Sequence, residues 1–128
     1  MINSRLTAVA LKAGKTLAAD TAGTVIDLKS YKGQALLVVQ GGTFTKDSIG
    51  PIALGITFRC GDSSGGGDAT DTIVTFTARD STNMTAVATK WLDLTACTGR
   101  YGKLYFDLGA HTTGCPLAAV GIFEAAGY

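Results

Sequence analysis

The sequence predicts an all-β protein, an antiparallel β-sandwich with a jelly roll or a β-barrel as alternatives. Three observations carry that expectation. Thr occurs 18 times and Gly 17 times against a single Glu, Glu124, in 128 residues. Thr, Val and Ile suit a pleated sheet, whereas Glu, Lys and Leu favour helices. Apolar and polar residues alternate with period two along several short segments, the pattern of half-buried strands. Turn-forming clusters recur between those segments, and seven or eight short strands so spaced form a sandwich or a barrel.

In chain order, residues 1–20 are polar and contain Gly14. They read as an extended N-terminal arm that orders on binding, or as a first strand over Leu6–Leu11. TVIDL (24–28) alternates weakly, and Ser30-Tyr31-Lys32-Gly33 turns the chain into ALLVVQ (35–40). That run is continuously apolar and predicts a central strand covered on both faces. Gly41-Gly42 and Gly50-Pro51 break the chain. In ALGITFRC (53–60), Leu54, Ile56, Phe58 and Cys60 share one face. In TIVTFTA (72–78), Val74, Phe76 and Ala78 oppose Thr75 and Thr77. Asp80-Ser81-Thr82-Asn83 and Thr98-Gly99-Arg100 are turn candidates. A strand is expected at TKWLDL (89–94), because Thr and Val interrupt any helical stripe over Thr85–Trp91. In KLYFDL (103–108), Leu104, Phe106 and Leu108 oppose Lys103, Tyr105 and Asp107. LAAVGIF (117–123) is the last strand, bounded by Pro116 and Gly127. With no repeat or linker visible, residues 1–128 read as one β domain.

Charge and cysteine content narrow the function. Lys plus Arg is 11 and Asp plus Glu is 10, for a net charge of +1. No basic cluster suggests nucleic acid, and no apolar run approaches the ~20 residues of a membrane helix. The early run LTAVAL ends at Lys12, shorter than a secretory core. Cys60, Cys97 and Cys115 are odd in number and widely spaced, which predicts free thiols in a protein made in a reducing cytoplasm.

GDSSGGGD (61–68) approaches the nucleophile loop of chymotrypsin-type proteases. Ser63, however, is followed by Ser64 rather than the Gly an oxyanion pocket needs, and His111 is the only histidine. A loop joining two strands is the expectation, with no catalysis. Asp62, Asp68 and Asp71 are the candidate ligands for a hard cation, yet they lack EF-hand spacing, so no metal and no cofactor are expected. AGKT (13–16) would need Gly where Val9 stands to be a phosphate loop. Trp91, Tyr101 and Tyr105 could stack on sugar rings or pack in the core.

TFTARDSTNMT (75–85) is locally similar to an immunoglobulin variable-domain strand, without that family's Cys-Trp-Cys order. AGKTLAADTAGTVIDLKSYKGQALLVV (13–39) and RYGKLYFDLGA (100–110) resemble small all-β virion proteins of tailed bacteriophages, the capsid decoration (cement) and head-associated proteins. The resemblance implies a non-enzymatic protein made in the host cytoplasm and located in the virion. It would bind the major capsid protein or other virion proteins, as a trimer or another symmetric oligomer. Val25, Leu37, Val39 and Phe123 are the interface candidates, as apolar residues on strand faces opposite the expected core; for Leu37 and Val39 a two-layer core is the equal alternative. Three alternative functions stand beside this: a carbohydrate-binding module, a tail- or fibre-associated adhesion module, and a small hydrolase using Ser63 or Ser64 with His111.

Overall fold

Ten strands and two 3₁₀ turns make up the computed structural model, which describes residues 5–17, 19–42, 45–46, 54–69, 71–76, 88–108 and 112–126. The strands are β1 (Leu6–Leu17), β2 (Thr21–Ala22), β3 (Ile26–Asp27), β4 (Tyr31–Gly41), β5 (Thr45–Lys46), β6 (Leu54–Gly61), β7 (Asp71–Thr75), β8 (Ala88–Asp93), β9 (Tyr101–Leu108) and β10 (Thr112–Ala125). One sheet has the order β1-β10-β4-β8, with β5 also pairing β10. The other has the order β2-β9-β6-β7, with β3 also pairing β9. Every pairing is antiparallel. The two sheets form a β-sandwich, not a closed barrel.

Period two decides what lies between the sheets. Ile56, Phe58 and Cys60 of β6 and Leu104, Phe106 and Leu108 of β9 point inward from the second sheet. Leu11 of β1, Leu37 and Val39 of β4, Leu92 of β8 and Phe123 of β10 meet them from the first. Burying each large side chain contributes about 1.5–3 kcal/mol relative to exposure.

This layering corrects two expectations. Leu37, Val39 and Phe123 are core residues with no exposed surface, so they are not available to a partner. β4 is internal to its sheet but covered on one face only. Ala35, Leu37 and Val39 point in, while Leu36 and Val38 remain half-buried on the outside. The reason is geometric: a two-layer sandwich has no third layer to lie over the outer face.

Residues 6–17, read as part of an arm or, over Leu6–Leu11, as a first strand, form a full strand whose register on β10 runs from Leu6↔Glu124 to Leu17↔Cys115, with two bulges. β10 runs through Pro116, where a boundary was expected. Pro116 sits in the gap between the last β4 pair, Leu117↔Gly41, and the first β5 pair, Gly114↔Thr45. Its missing N–H therefore costs neither ladder a bond. The strand expected over 72–78 ends at Thr75, and Phe76 is buried with its amide donating to the Ile56 carbonyl at 2.9 Å. Ala78 and the 80–83 turn lie outside the described residues.

The chain crosses between sheets at two corners with a shared sequence, Asp-Leu-x-x-x-x-Gly, at 27–33 and 93–99. Each opens a 3₁₀ turn, Leu28–Ser30 or Leu94–Ala96. Each Asp caps its turn by accepting an amide two residues on: Lys29 N to Asp27 at 3.1 Å, Thr95 N to Asp93 at 3.0 Å. The first corner leads from β3 in the second sheet to β4 in the first, and the second leads back from β8 to β9. The corners also clasp each other. Arg100, just past the second, binds Asp27 of the first in a fork, at 3.0 Å from Nε and 2.8 Å from a terminal nitrogen.

Candidate interaction surface

The two outer faces differ in chemistry. On the second sheet, alternation places Thr57, Arg59, Lys103, Tyr105 and Asp107 outward. Thr57, Arg59, Lys103 and Tyr105 have partners close by. The Arg59 guanidinium lies 4.2 Å from the Tyr105 ring centroid, and its Nε donates to Thr57 Oγ1 at 3.0 Å. Lys103 Nζ donates to the Gly66 carbonyl at 2.8 Å.

On the first sheet the outward positions are apolar. Ala8, Ile122, Leu36 and Trp91 pair in sequence across all four strands to make one row. Ala10, Val120, Val38 and Thr89 make the next. Leu6 stands beside Glu124 at one end, and Ala118 beside Gln40 at the other. Leu6 is 70% exposed, Trp91 65% and Ile122 37%. The central rows carry no charge; at one end Glu124 faces Lys32 at 3.8 Å, and Asp93, opposite Gln34 beyond Trp91, accepts the Thr95 amide. A hollow of about 130 Å³ lies mid-sheet among Val38, Gln40, Ala118 and Val120. The exposed parts of Leu6, Ala8, Ala10, Leu36, Val38, Trp91, Ala118, Val120 and Ile122 come to roughly 600 Å², the upper end of what a monomer shows in one patch.

Among the described residues the other candidates do not assemble into a site. Asp68 accepts hydrogen bonds from the Asp62 and Ser63 amides, at 3.2 and 2.9 Å. Its carboxylate thus closes the 61–69 loop on itself. Ser63 and Ser64 are exposed, and His111 and the Asp71 side chain lie outside the described residues. Among the described residues no three His, Cys, Asp or Glu side chains cluster as metal ligands. Gly66 is buried at φ +73°, a conformation Gly adopts without strain. There it packs on Val25, so the chain's own loop half-buries that interface candidate. Trp91 lies on the first sheet's outer face while Tyr101 and Tyr105 are on β9 of the second, so these aromatics share no sugar platform.

Cys60 is buried and Cys97 half-buried, neither in a disulfide; the hydrogen bond between the two thiols holds Cys97 below the ordinary thiol range. The Cys115 side chain lies outside the described residues. A cleft of about 480 Å³ runs between the two corners over Leu28, Tyr31, Leu94 and Cys97. Of its three lining cations, Arg100 and Lys32 already face Asp27 and Glu124, and Lys29 is the third.

The loop and corner carboxylates predict an acid sensitivity. The Arg100 guanidinium holds Asp27 below the usual carboxylate range, and the Ser63 and Asp62 amides do the same for Asp68. A depressed folded-state value stabilises above the unfolded value, about 3.9 for Asp, and is lost as pH falls through the folded one. Thermal melts should therefore show a modest fall in Tm below about pH 4, and Asp68→Asn should flatten part of it. An unchanged profile in that variant would remove Asp68 from the account.

No family model matches the chain, and no curated protein matches it. Solved structures do share its fold. The VP2 subviral particle of infectious bursal disease virus aligns with TM-score 0.52 and 10% identity over 95% of this chain and 32% of that one. The Gx strain of the same virus gives 0.54 and 14% over 99% and 33%. This chain spans about a third of those chains' length. The SPBc2 prophage-derived protein YomS aligns with TM-score 0.51 and 14% identity over 98% of this chain and 97% of its own. The all-β sandwich is thus an arrangement found in viral and prophage proteins.

Proposed function

We propose that this chain is a non-enzymatic structural protein of a virion, associated with the head, that stabilises the shell by adhesion. The observation carrying the reading is the uncharged apolar outer face of the first sheet. A soluble monomer rarely leaves so large a patch uncovered without using it. Likeness of fold to the VP2 protein of a subviral particle and a net charge of +1 support the same reading. At about 25 cal/mol per Å², covering roughly 600 Å² contributes about 15 kcal/mol. Association itself costs about 4–15 kcal/mol, and repeated contacts around a symmetric shell add to what one face supplies. The partners are the major capsid protein or other virion proteins, further copies of this chain among them.

Co-sedimentation with empty shells tests this. The chain should pellet with shells, and shells carrying it should withstand higher temperature before releasing their contents. A chain that stays in the supernatant at saturating shell concentration would remove the head-associated role.

A further inference from the structure

We infer that the outer face of the first sheet docks on the same face of a second copy, stacking the two sheets across a two-fold axis; the inference rests on the adhesive reading above and names the partner of that face. Four observations lead there. The face is complementary to itself in relief when turned end for end, with Leu6 and Trp91 standing out on the edge strands toward one end and the hollow at Val38, Gln40, Ala118 and Val120 toward the other. An isologous contact needs this pairing of bump and hollow on one surface.

The area is adequate. Two copies would cover roughly 1,200 Å² in total, above the ~1,000 Å² a specific interface requires. Electrostatics raise no obstacle. The central rows carry no charge, Glu124 is compensated by Lys32 at the end, and the net charge of +1 repels weakly. Edge growth is discouraged instead. β1, one edge of the sheet, is interrupted by two bulges with Lys12 between them, devices that block strand addition. Face-to-face stacking at about 10 Å covers the apolar face itself, which pairing at the other edge, β8, would leave open.

Trp91 is the only tryptophan, so its emission reports on this face alone. Sedimentation velocity and Trp91 fluorescence are measured together from nanomolar to hundred-micromolar chain. The expected result is a one-chain to two-chain transition with a blue shift of Trp91 at the same midpoint. Ile122→Glu should weaken pairing by roughly 100-fold or more, since a carboxylate is forced into an apolar seam. Trp91→Arg, at a more exposed position that cannot disturb the core, should do the same by mass alone. A one-chain mass at every concentration overturns the inference. So does pairing that survives both variants, or a blue shift seen only on shells or on phosphatidylcholine vesicles. The same samples mixed with empty shells report separately on the virion reading: a one-chain species that pellets with shells sinks self-docking alone, and a two-chain species that never pellets sinks the head-associated role alone.

Discussion

Phe123→Ala should lower the unfolding free energy by about 3–5 kcal/mol, while Ile122→Ala, one residue earlier, should cost well under half of that in the dilute chain. Phe123 has no exposed surface, and its ring centroid lies 4.7 Å from that of Tyr31. It also covers Gly121, where a Cβ would run into the Phe123 ring. Truncation leaves a cavity lined on the far side by the second sheet, which cannot collapse without bending the sheet itself. Ile122 points the other way and keeps 37% of its surface in water. Set against a typical total of about 5–15 kcal/mol, the first change leaves a marginal protein and the second a normal one. Urea melts with equal slopes for the three proteins would make the comparison clean. Equal losses would mean that β10 is out of register by one, because a one-residue slip exchanges the two faces.

Gly23→Ala is expected to cost about 2–4 kcal/mol, a large effect for one methyl group. Gly23 lies between β2 and β3 of the second sheet, where that chain touches β1 of the first. Its amide donates to the Leu104 carbonyl of β9 at 2.7 Å, and the next amide, Thr24, donates to the Leu11 carbonyl of β1 at 2.8 Å. A Cβ at Gly23 would collide with the Leu11 carbonyl oxygen, a backbone atom with no rotamer to change. Either the two backbones separate and strand a carbonyl, or the bond from Thr24 is lost. Gly65→Ala is the matched control. It lies on the open loop with nothing within 4 Å of the added methyl, and it should be neutral or slightly stabilising. Faster hydrogen exchange at Thr24 in the first variant but not the second would locate the damage. Equal stability of the two variants would show that the sheets can part at this contact without penalty.

Where the sequence alternates strictly, it could be read residue by residue. Leu54 to Cys60 and Leu104 to Leu108 declare their faces, and both strands stand where alternation places them. ALLVVQ and LAAVGIF have no such phase, since apolar residues occupy both sets of positions. Choosing between Leu37 and Leu36, or between Phe123 and Ile122, needs the neighbouring strand, and that information is not local. A signal was nonetheless present. Two adjacent continuously apolar strands in a chain of this length outrun what two layers can cover, so one phase must face outward. The interaction face of Leu36, Val38, Val120 and Ile122 follows from that count. The paired corners were also legible as a repeated Asp-Leu-x-x-x-x-Gly. The signal is short, and it is masked because Lys29 and Thr95, or Tyr31 and Cys97, share no side-chain chemistry. The closing of the 61–69 loop by Asp68 was not legible, because an acid in a Gly-rich loop binds a cation or its own backbone with equal ease until the geometry is known.

The claim on which function depends is that the apolar face is open in the isolated chain and covered in its working state. Acrylamide quenching of Trp91 measures this directly. In nanomolar chain the indole should quench as freely as a solvated one. In the paired or shell-bound state it should quench several-fold more slowly. Equal quenching in both states, or a protected indole in the dilute chain, would contradict the account.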